Sequence, residues 1–392
     1  MTSLNFGAAL RAAQQTDPAS APDILATMGD AIGATDLVVY LVDFGQSVLE
    51  PLPDRRKHPD NPHGEEVATT MAGRTFVSQQ PTSTQRPAGT RIWVPIVEGS
   101  DRSGVLALTV PRETEEIIQA AVDLGLFAGH LISTQARYTD TYNLRRRRRS
   151  LSLAASMQWD LLPPLMLKTP RMSVAGLLEP AYDVGGDCFD YALNESIFDI
   201  AIFDAMGHGI QAALIASLAV GSYRHDRREV QPLERMHAHL DATISHQFKG
   251  EAFATGLLAQ IDLDTGSMTW TNAGHPPPSL IRGGRALSEL NCAPTVPWGV
   301  ASITNSVGDP AIATEMLEPG DGVLFYTDGV VDAHAVGEDP LGVERLFDLA
   351  TQHASDELEP EEIVRHLVSA VLTHQSDTLV DDASVVLFQW NG

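Results

Sequence analysis

Apolar positions along this 392-residue chain change their period several times, and each change marks an element. "APDILATMGDAIGA", from residue 21, spaces its apolar side chains three and four apart and predicts an amphipathic helix. "TDLVVYLVDF" is a continuous apolar run and predicts a buried strand. "PLPDRRKHPDNPHGE", residues 51–65, is polar and proline-rich and reads as a loop. "RIWVPIV" and "GVLALTV" flank the turn "EGSDRS" and predict paired strands, with Trp93 in the core. From Glu113 to about Leu162 there is no proline, and Ile117, Ala121, Leu124, Phe127 and Leu131 recur at helical spacing. Gly125 and Gly129 weaken that helix locally. "LSLAASMQWDLL" continues in helical fashion and ends at Pro163-Pro164.

Beyond residue 165 strands and helices alternate irregularly. "IQAALIASLAVGSYRH", after Gly209, and residues 233–248 read as helices. "TGLLAQIDLDTGSMTWTNAG" reads as a hairpin about Asp264–Gly266, and "GDGVLFYTDG" and "ASVVLFQW" as strands. The fold class is α+β, with mostly antiparallel sheets and paired helices. Three segments follow: a small α/β domain over 1–112, a helical connector over 113–164 and a larger domain over 165–392. The element order of the first segment resembles a GAF sensor domain, which implies an effector there, a small molecule or a protein. No Cys/His cluster supports haem or metal in it. The connector reads as a long signalling helix, and such helices pair in parallel homodimers.

The net charge of −25 excludes nucleic acid or an anionic membrane as the main partner. Arg145–Arg149 reads as a solvated segment within that acidic whole. The two cysteines, Cys188 and Cys292, have neither metal-site nor disulfide spacing. No apolar run approaches the roughly 20 residues of a membrane span, and the N-terminus lacks the pattern of a signal peptide. A cytoplasmic protein is expected.

The chemistry concentrates in "GGDCFDYALNESIFDIAIFDAMGHG", residues 185–209. Two strand-like stretches surround Asn194-Glu195-Ser196. If the hairpin is centred between Glu195 and Ser196, Asp187 and Asp204 face each other on one side, with Cβ atoms about 4.5–5.5 Å apart. Like charges there are destabilising unless a cation neutralises them, and oxygen-only ligation suits Mg²⁺ or Mn²⁺. Asp190 points to the opposite face of a regular strand and is a secondary candidate. Asp328 ends the apolar strand of "LFYTDGVVDA", and Asp381-Asp382 open "DDASVVLF". Four carboxylates at strand ends match the demand of a two-metal site, with ions about 3.5–4 Å apart around a water poised for attack on phosphorus.

"DVGGDCFDYA", "DAMGHGIQAALIAS", "TNAGHPPPSLI", "EPGDGVLFYTDGVVDA" and "DDASVVLF" resemble, in order, the motifs of the metal-dependent protein phosphatases. They look most like the bacterial SpoIIE/RsbU-type branch of the protein phosphatase 2C-like superfamily. The resemblance covers about 170–390, and "SMQWDLLPP" looks like the helix that precedes that phosphatase domain and couples it to a sensor. It implies an α/β/β/α sandwich of antiparallel sheets flanked by helices. It implies two Mn²⁺ or Mg²⁺ ions: Asp187 on one, Asp204 bridging both with the Ala205 carbonyl, Asp328 and Asp381 on the second. Asp382 becomes a neighbour, and Gly186, Gly207, Gly209 and Gly329 shape the loops. His208 fits either a general acid or a structural residue, and His275 a structural one. The family has bulky aromatics after "GGD" where this chain has Cys188 and Phe189. The implied activity is hydrolysis of phosphoserine or phosphothreonine on a STAS-domain anti-sigma factor antagonist, under control of the N-terminal domain. The alternative is a catalytically silent pseudophosphatase that acts by binding. "GGDCF" also resembles the GGDEF motif of diguanylate cyclases, which leaves Asp328 and Asp381-Asp382 unexplained.

Overall fold

A computed structural model describes residues 4–52, 63–179, 185–301, 309–334, 340–355, 358–374 and 382–392. The chain divides into two units, Met1–Ser150 and Leu151–Gly392.

In the N-terminal unit, helices α1 (Phe6–Gln15) and α2 (Ala21–Asp30) precede strand β1 (Thr35–Val42). Strands β2 (Val48–Pro51) and β3 (Glu65–Glu66), helix α3 (Met71–Ser78) and strands β4 (Thr82–Arg86), β5 (Gly89–Glu98) and β6 (Asp101–Val110) follow. The strands form one antiparallel sheet in the order β3-β2-β1-β6-β5-β4. Alternation sorts its side chains. Val39, Leu41, Ile92, Val94, Leu106 and Leu108 join the core under α1 and α2, whereas Val38, Tyr40, Trp93, Val105 and Ala107 pack with Phe76 of α3. Trp93 is a core residue, as expected.

The connector differs from the single helix read over 113–162. It is three helices: α4 (Glu115–Ala136), α5 (Thr141–Arg146) and α6 (Leu153–Leu161). α4 starts at Thr114, whose hydroxyl accepts the Ile117 N–H. Its apolar stripe, Ala121, Leu124, Phe127, Ala128 and Leu131, lies in the core of the N-terminal unit. Gly125 and Gly129 are the contact points: a Cβ there would come within 2.4 Å of Pro95 O and 2.0 Å of Val97 O, on β5. The stripe is thus spent on the chain's own sheet, and Leu126 is the large apolar residue α4 exposes. α4 also corrects the expectation about apolar runs. By length and composition, with a mean hydropathy of 1.4, it is apolar enough to cross a membrane; here the apolar side is a core contact. Within the arginine run, Arg146 donates to Val42 O at 3.0 Å and lies 4.7 Å from the Phe44 ring centre, while Arg148 and Arg149 are exposed.

The C-terminal unit starts with α6 and two strands, β7 (Met166–Lys168) and β8 (Met172–Glu179). The hairpin β9 (Asp187–Asn194) and β10 (Ile197–Ala205) follows, then α7 (Ile210–Arg228) and α8 (Leu233–Phe248). Next come β11 (Ala254–Asp262), β12 (Ser267–Ala273), β13 (Ser279–Arg282), β14 (Arg285–Glu289), β15 (Ala313–Met316) and β16 (Gly322–Tyr326). A short helix α9 (Asp328–Val331), α10 (Gly342–Ser355), α11 (Pro360–His374) and β17 (Ala383–Trp390) end the unit. Two sheets result, β15-β12-β11-β10-β9 and β14-β13-β16-β17-β8-β7. Phe189, Phe198, Ile200, Ile202 and Leu257 of one interleave with Val174, Phe325, Val386 and Phe388 of the other. Cys188, Ala201, Phe203 and Leu258 carry α7 and α8 on the outer face of the first sheet. Leu324, Val385 and Leu387 carry α10 and α11 on the outer face of the second. This is the expected α/β/β/α sandwich.

Candidate metal centre

The hairpin register is the expected one. Asn194 pairs with Ile197 across the turn Glu195-Ser196, where Glu195 adopts φ +54°, and Asp187 pairs with Asp204. Asp187 shares its face with Phe189 and Tyr191, and Asp204 with Ile202 and Ile200, so both lie at one end of the space between the sheets. The Ala205 N–H donates to Gly186 O at 3.2 Å. Hydrogen-bonded and non-bonded pairs alternate along an antiparallel ladder, so Asp187 and Asp204 form a non-bonded pair, with Cα atoms about 4.5 Å apart. Cys188 and Asp190 face the other way. Asp190 is buried and pairs with Arg224 at 2.7 Å and Arg227 at 2.9 Å, a structural cluster on α7.

The second sheet delivers the rest. Beyond Phe325 the inner-face position of β16 is Thr327, whose hydroxyl donates to Asp187 Oδ2 at 2.5 Å and accepts the Ser384 N–H at 2.9 Å. Asp328 is therefore the exposed first residue of α9 rather than the last of a strand. Asp382 is buried, and its Oδ2 accepts the N–H groups of Gly185 at 2.5 Å, Gly186 at 2.6 Å and Asp187 at 3.3 Å. Two glycines let these segments close up. A Cβ on Gly186 would stand 2.2 Å from the Ala205 carbonyl oxygen, and one on Gly329 1.8 Å from that of Asp382. Asp187, Asp204, Ala205, Asp328 and Asp382 are thus brought to one end of the sandwich. Asp381 lies outside the described residues.

Asp187 is 3% exposed. Burial pushes its carboxyl well above the usual carboxylate range, and the charges of Asp204 and Asp382 push it further. A cation between the carboxylates relieves both. Every donor offered is a carboxylate or carbonyl oxygen, the preference of Mg²⁺ or Mn²⁺. Among the described residues no three acidic, thiol or imidazole side chains converge as ligands, so Asp187 with Asp204 is the nucleus of the site rather than its full shell. The fit to a divalent ion rests on the chemistry of the donors, two facing carboxylates with the hard oxygens such an ion takes.

His275 is buried. Its N–H donates to Asn272 Oδ1 and its C=O accepts from Asn272 Nδ2, both at 2.8 Å, which closes the "NAGH" turn. Burial holds the ring neutral, with a pKa pushed down to about 3. Nε2 lies 3.1 Å from Tyr326 O and must be the donor, so Nδ1 accepts from Thr255 Oγ1 at 3.1 Å. Thr255 stands opposite Asp204 in the ladder, its hydroxyl 3.4 Å from Asp204 Oδ2. His275 thereby ties β11, the neighbour of the Asp204 strand, to the strand that leads to Asp328, a structural role as expected. His208 is exposed on the bend between Gly207 and Gly209, both at positive φ. Thr327 and Thr255 are the residues the sequence reading missed. The signal for Thr327 was available, as a hydroxyl directly before a strand-end aspartate.

Residues 196–391 match the family described as Stage II sporulation protein E (SpoIIE). The chain is 27% identical over 239 residues to phosphoserine phosphatase RsbP of Bacillus subtilis, which covers 59% of this chain and 54% of that protein. It is 23% identical over 245 residues to phosphoserine phosphatase RsbU of the same organism, covering 61% of this chain and 69% of that one. The chain spans about half the length of RsbP. Among solved structures it is similar to the SiaA-PP2C domain of Pseudomonas aeruginosa, with a TM-score of 0.50, 21% identity and coverage of 60% of this chain and 94% of that one. It is also similar to the RsbU and RsbW domains of a Mycobacterium tuberculosis protein, with a TM-score of 0.50, 23% identity and coverage of 57% and 62%. These likenesses establish a protein phosphatase 2C-like fold. With half of its length matched, the chain belongs to the SpoIIE family.

Proposed function

We propose that this chain is a metal-dependent protein serine/threonine phosphatase. The observation that carries the reading is the cross-strand pairing of Asp187 with Asp204 at one end of the sandwich. The similarity to RsbP and RsbU, both phosphoserine phosphatases, supports it. Asp187, Asp204, the Ala205 carbonyl, Asp328 and Asp381 would hold two Mn²⁺ or Mg²⁺ ions, which supply charge for phosphate oxygens and lower the pKa of water. The chain's own residues fix the geometry: Thr327 orients Asp187 by its hydroxyl, Asp382 holds the 185–187 backbone, and Thr255 lies against Asp204. No side-chain nucleophile is required.

The substrate in this reading is phosphoserine or phosphothreonine on a STAS-domain anti-sigma factor antagonist. The N-terminal unit, an antiparallel sheet with helices on both faces, serves as a GAF-like sensor of a small molecule or protein. The test is phosphate release from a phosphorylated STAS-domain protein by the full chain with Mn²⁺. Release that stops on chelation supports the reading. Retention of the phosphate under every metal and effector condition overturns it in favour of a silent, binding phosphatase fold.

A further inference from the structure

β9 is the last strand of its sheet, so the backbone groups on its outer side need partners other than a strand. Because Asp187 and Asp204 form a non-bonded pair, the N–H and C=O of Asp187 point outward from that edge. The N–H meets Asp382. The C=O accepts a hydrogen bond from Gln158 Nε2 of α6, at 2.7 Å. Gln158 is 0% exposed, and its Oε1 is buried without a hydrogen-bond partner among the described residues. A buried amide satisfied on one side only is unfavourable against an apolar side chain of equal size. What Gln158 contributes at this position is its donor.

We propose that Gln158 is a positioning residue for Asp187. Its amide fixes the peptide of Asp187 and, through it, the direction in which the carboxylate meets Asp204. The segment after Gln158 is tied to β9 twice more. Arg224 donates to Leu161 O and bonds Asp190 at 2.7 and 3.1 Å, and the Tyr191 hydroxyl donates to Pro164 O at 2.6 Å. These bonds anchor the segment further along the strand; Gln158 reaches the candidate ligand itself. The functional consequence rests on the metal-site reading, and the geometry does not.

The experiment is calorimetric titration of the full chain with Mn²⁺, in wild type, Gln158→Met and Arg224→Met, beside a melting curve for each. Gln158→Met keeps the volume and removes the donor. It is expected to weaken Mn²⁺ binding about tenfold or more, the usual effect of removing a group that orients a metal ligand. Arg224→Met is expected to lower the melting temperature and leave the Mn²⁺ affinity within about twofold. Gln158→Asn, one carbon too short to reach, gives the same answer as Gln158→Met should that variant fold poorly. Wild-type binding with an unchanged affinity in both Gln158 variants overturns this proposal alone. A wild type that binds no Mn²⁺ overturns the metal-site reading and this proposal together.

Discussion

α4 and α6 look alike in the sequence, two helical stretches of one proline-free connector, yet each serves the core of a different unit. α4 spends 22 residues on a long apolar stripe that seals one face of the N-terminal sheet. α6 has nine residues and buries only Ala154, Ala155 and Gln158. Two alanines let it lie close to its neighbours, and the glutamine hydrogen-bonds the strand that carries Asp187. Periodicity reports that a helix has a buried side. It does not report what covers that side, because the partner strands lie elsewhere in the sequence.

Point substitutions sharpen the contrast. The largest effect is expected from Leu124→Ala in α4. Leu124 is fully buried, and truncating such a leucine costs about 2–5 kcal/mol. A melt resolved into two transitions should lose that stability from the N-terminal unit alone.

Acid should act on the other unit. His237 on α8 lies buried against Trp298, between the hydroxyls of Thr271 and Thr295. Burial lowers its pKa from 6.5 to about 4. The unfolded chain therefore takes up the extra proton first. The contribution of a neutral His237 is full above pH 6.5 and is lost as pH falls toward 4, on the order of 2–3 kcal/mol by pH 4.5. Denaturant midpoints at pH 7 and 4.5 should converge in His237→Gln relative to wild type.

A smaller effect belongs to α6. Ala155 packs on Leu178 with no exposed surface, and Ala155→Leu overfills that contact at a cost of about 1–3 kcal/mol. Its melting shift should fall on the C-terminal transition. Leu126→Ala on the exposed side of α4 should change stability by less than about 0.5 kcal/mol. A larger loss in Leu126→Ala at high protein concentration would show that a second copy covers that side.

Legibility in the sequence followed the range of the interactions. The Asp187–Asp204 register was readable because a two-residue turn and strict alternation fix a hairpin locally. The opposite-facing Asp190 and Cys188 followed from the same alternation. The five motifs in order gave the sandwich. Gly125 and Gly129, read as weak points, are where α4 touches β5, since a glycine's value in close packing shows only once the partner backbone is known. Thr327, Thr255 and Gln158 act across 140, 51 and 29 residues of sequence respectively, beyond any pattern on one element. Asp328 moved from a strand end to a helix start because Thr327 takes the last inward position.

A metal-dependent phosphatase built on the Asp187–Asp204 pair, as proposed above, should turn over a small phosphate ester only with its ions bound. The most direct measurement is hydrolysis of p-nitrophenyl phosphate by the full chain, with and without Mn²⁺, in wild type and Asp204→Asn. Mn²⁺-dependent turnover is expected in wild type, falling at least about a hundredfold in the variant. Equal turnover in the two proteins, or turnover indifferent to Mn²⁺ and to chelation, would contradict it.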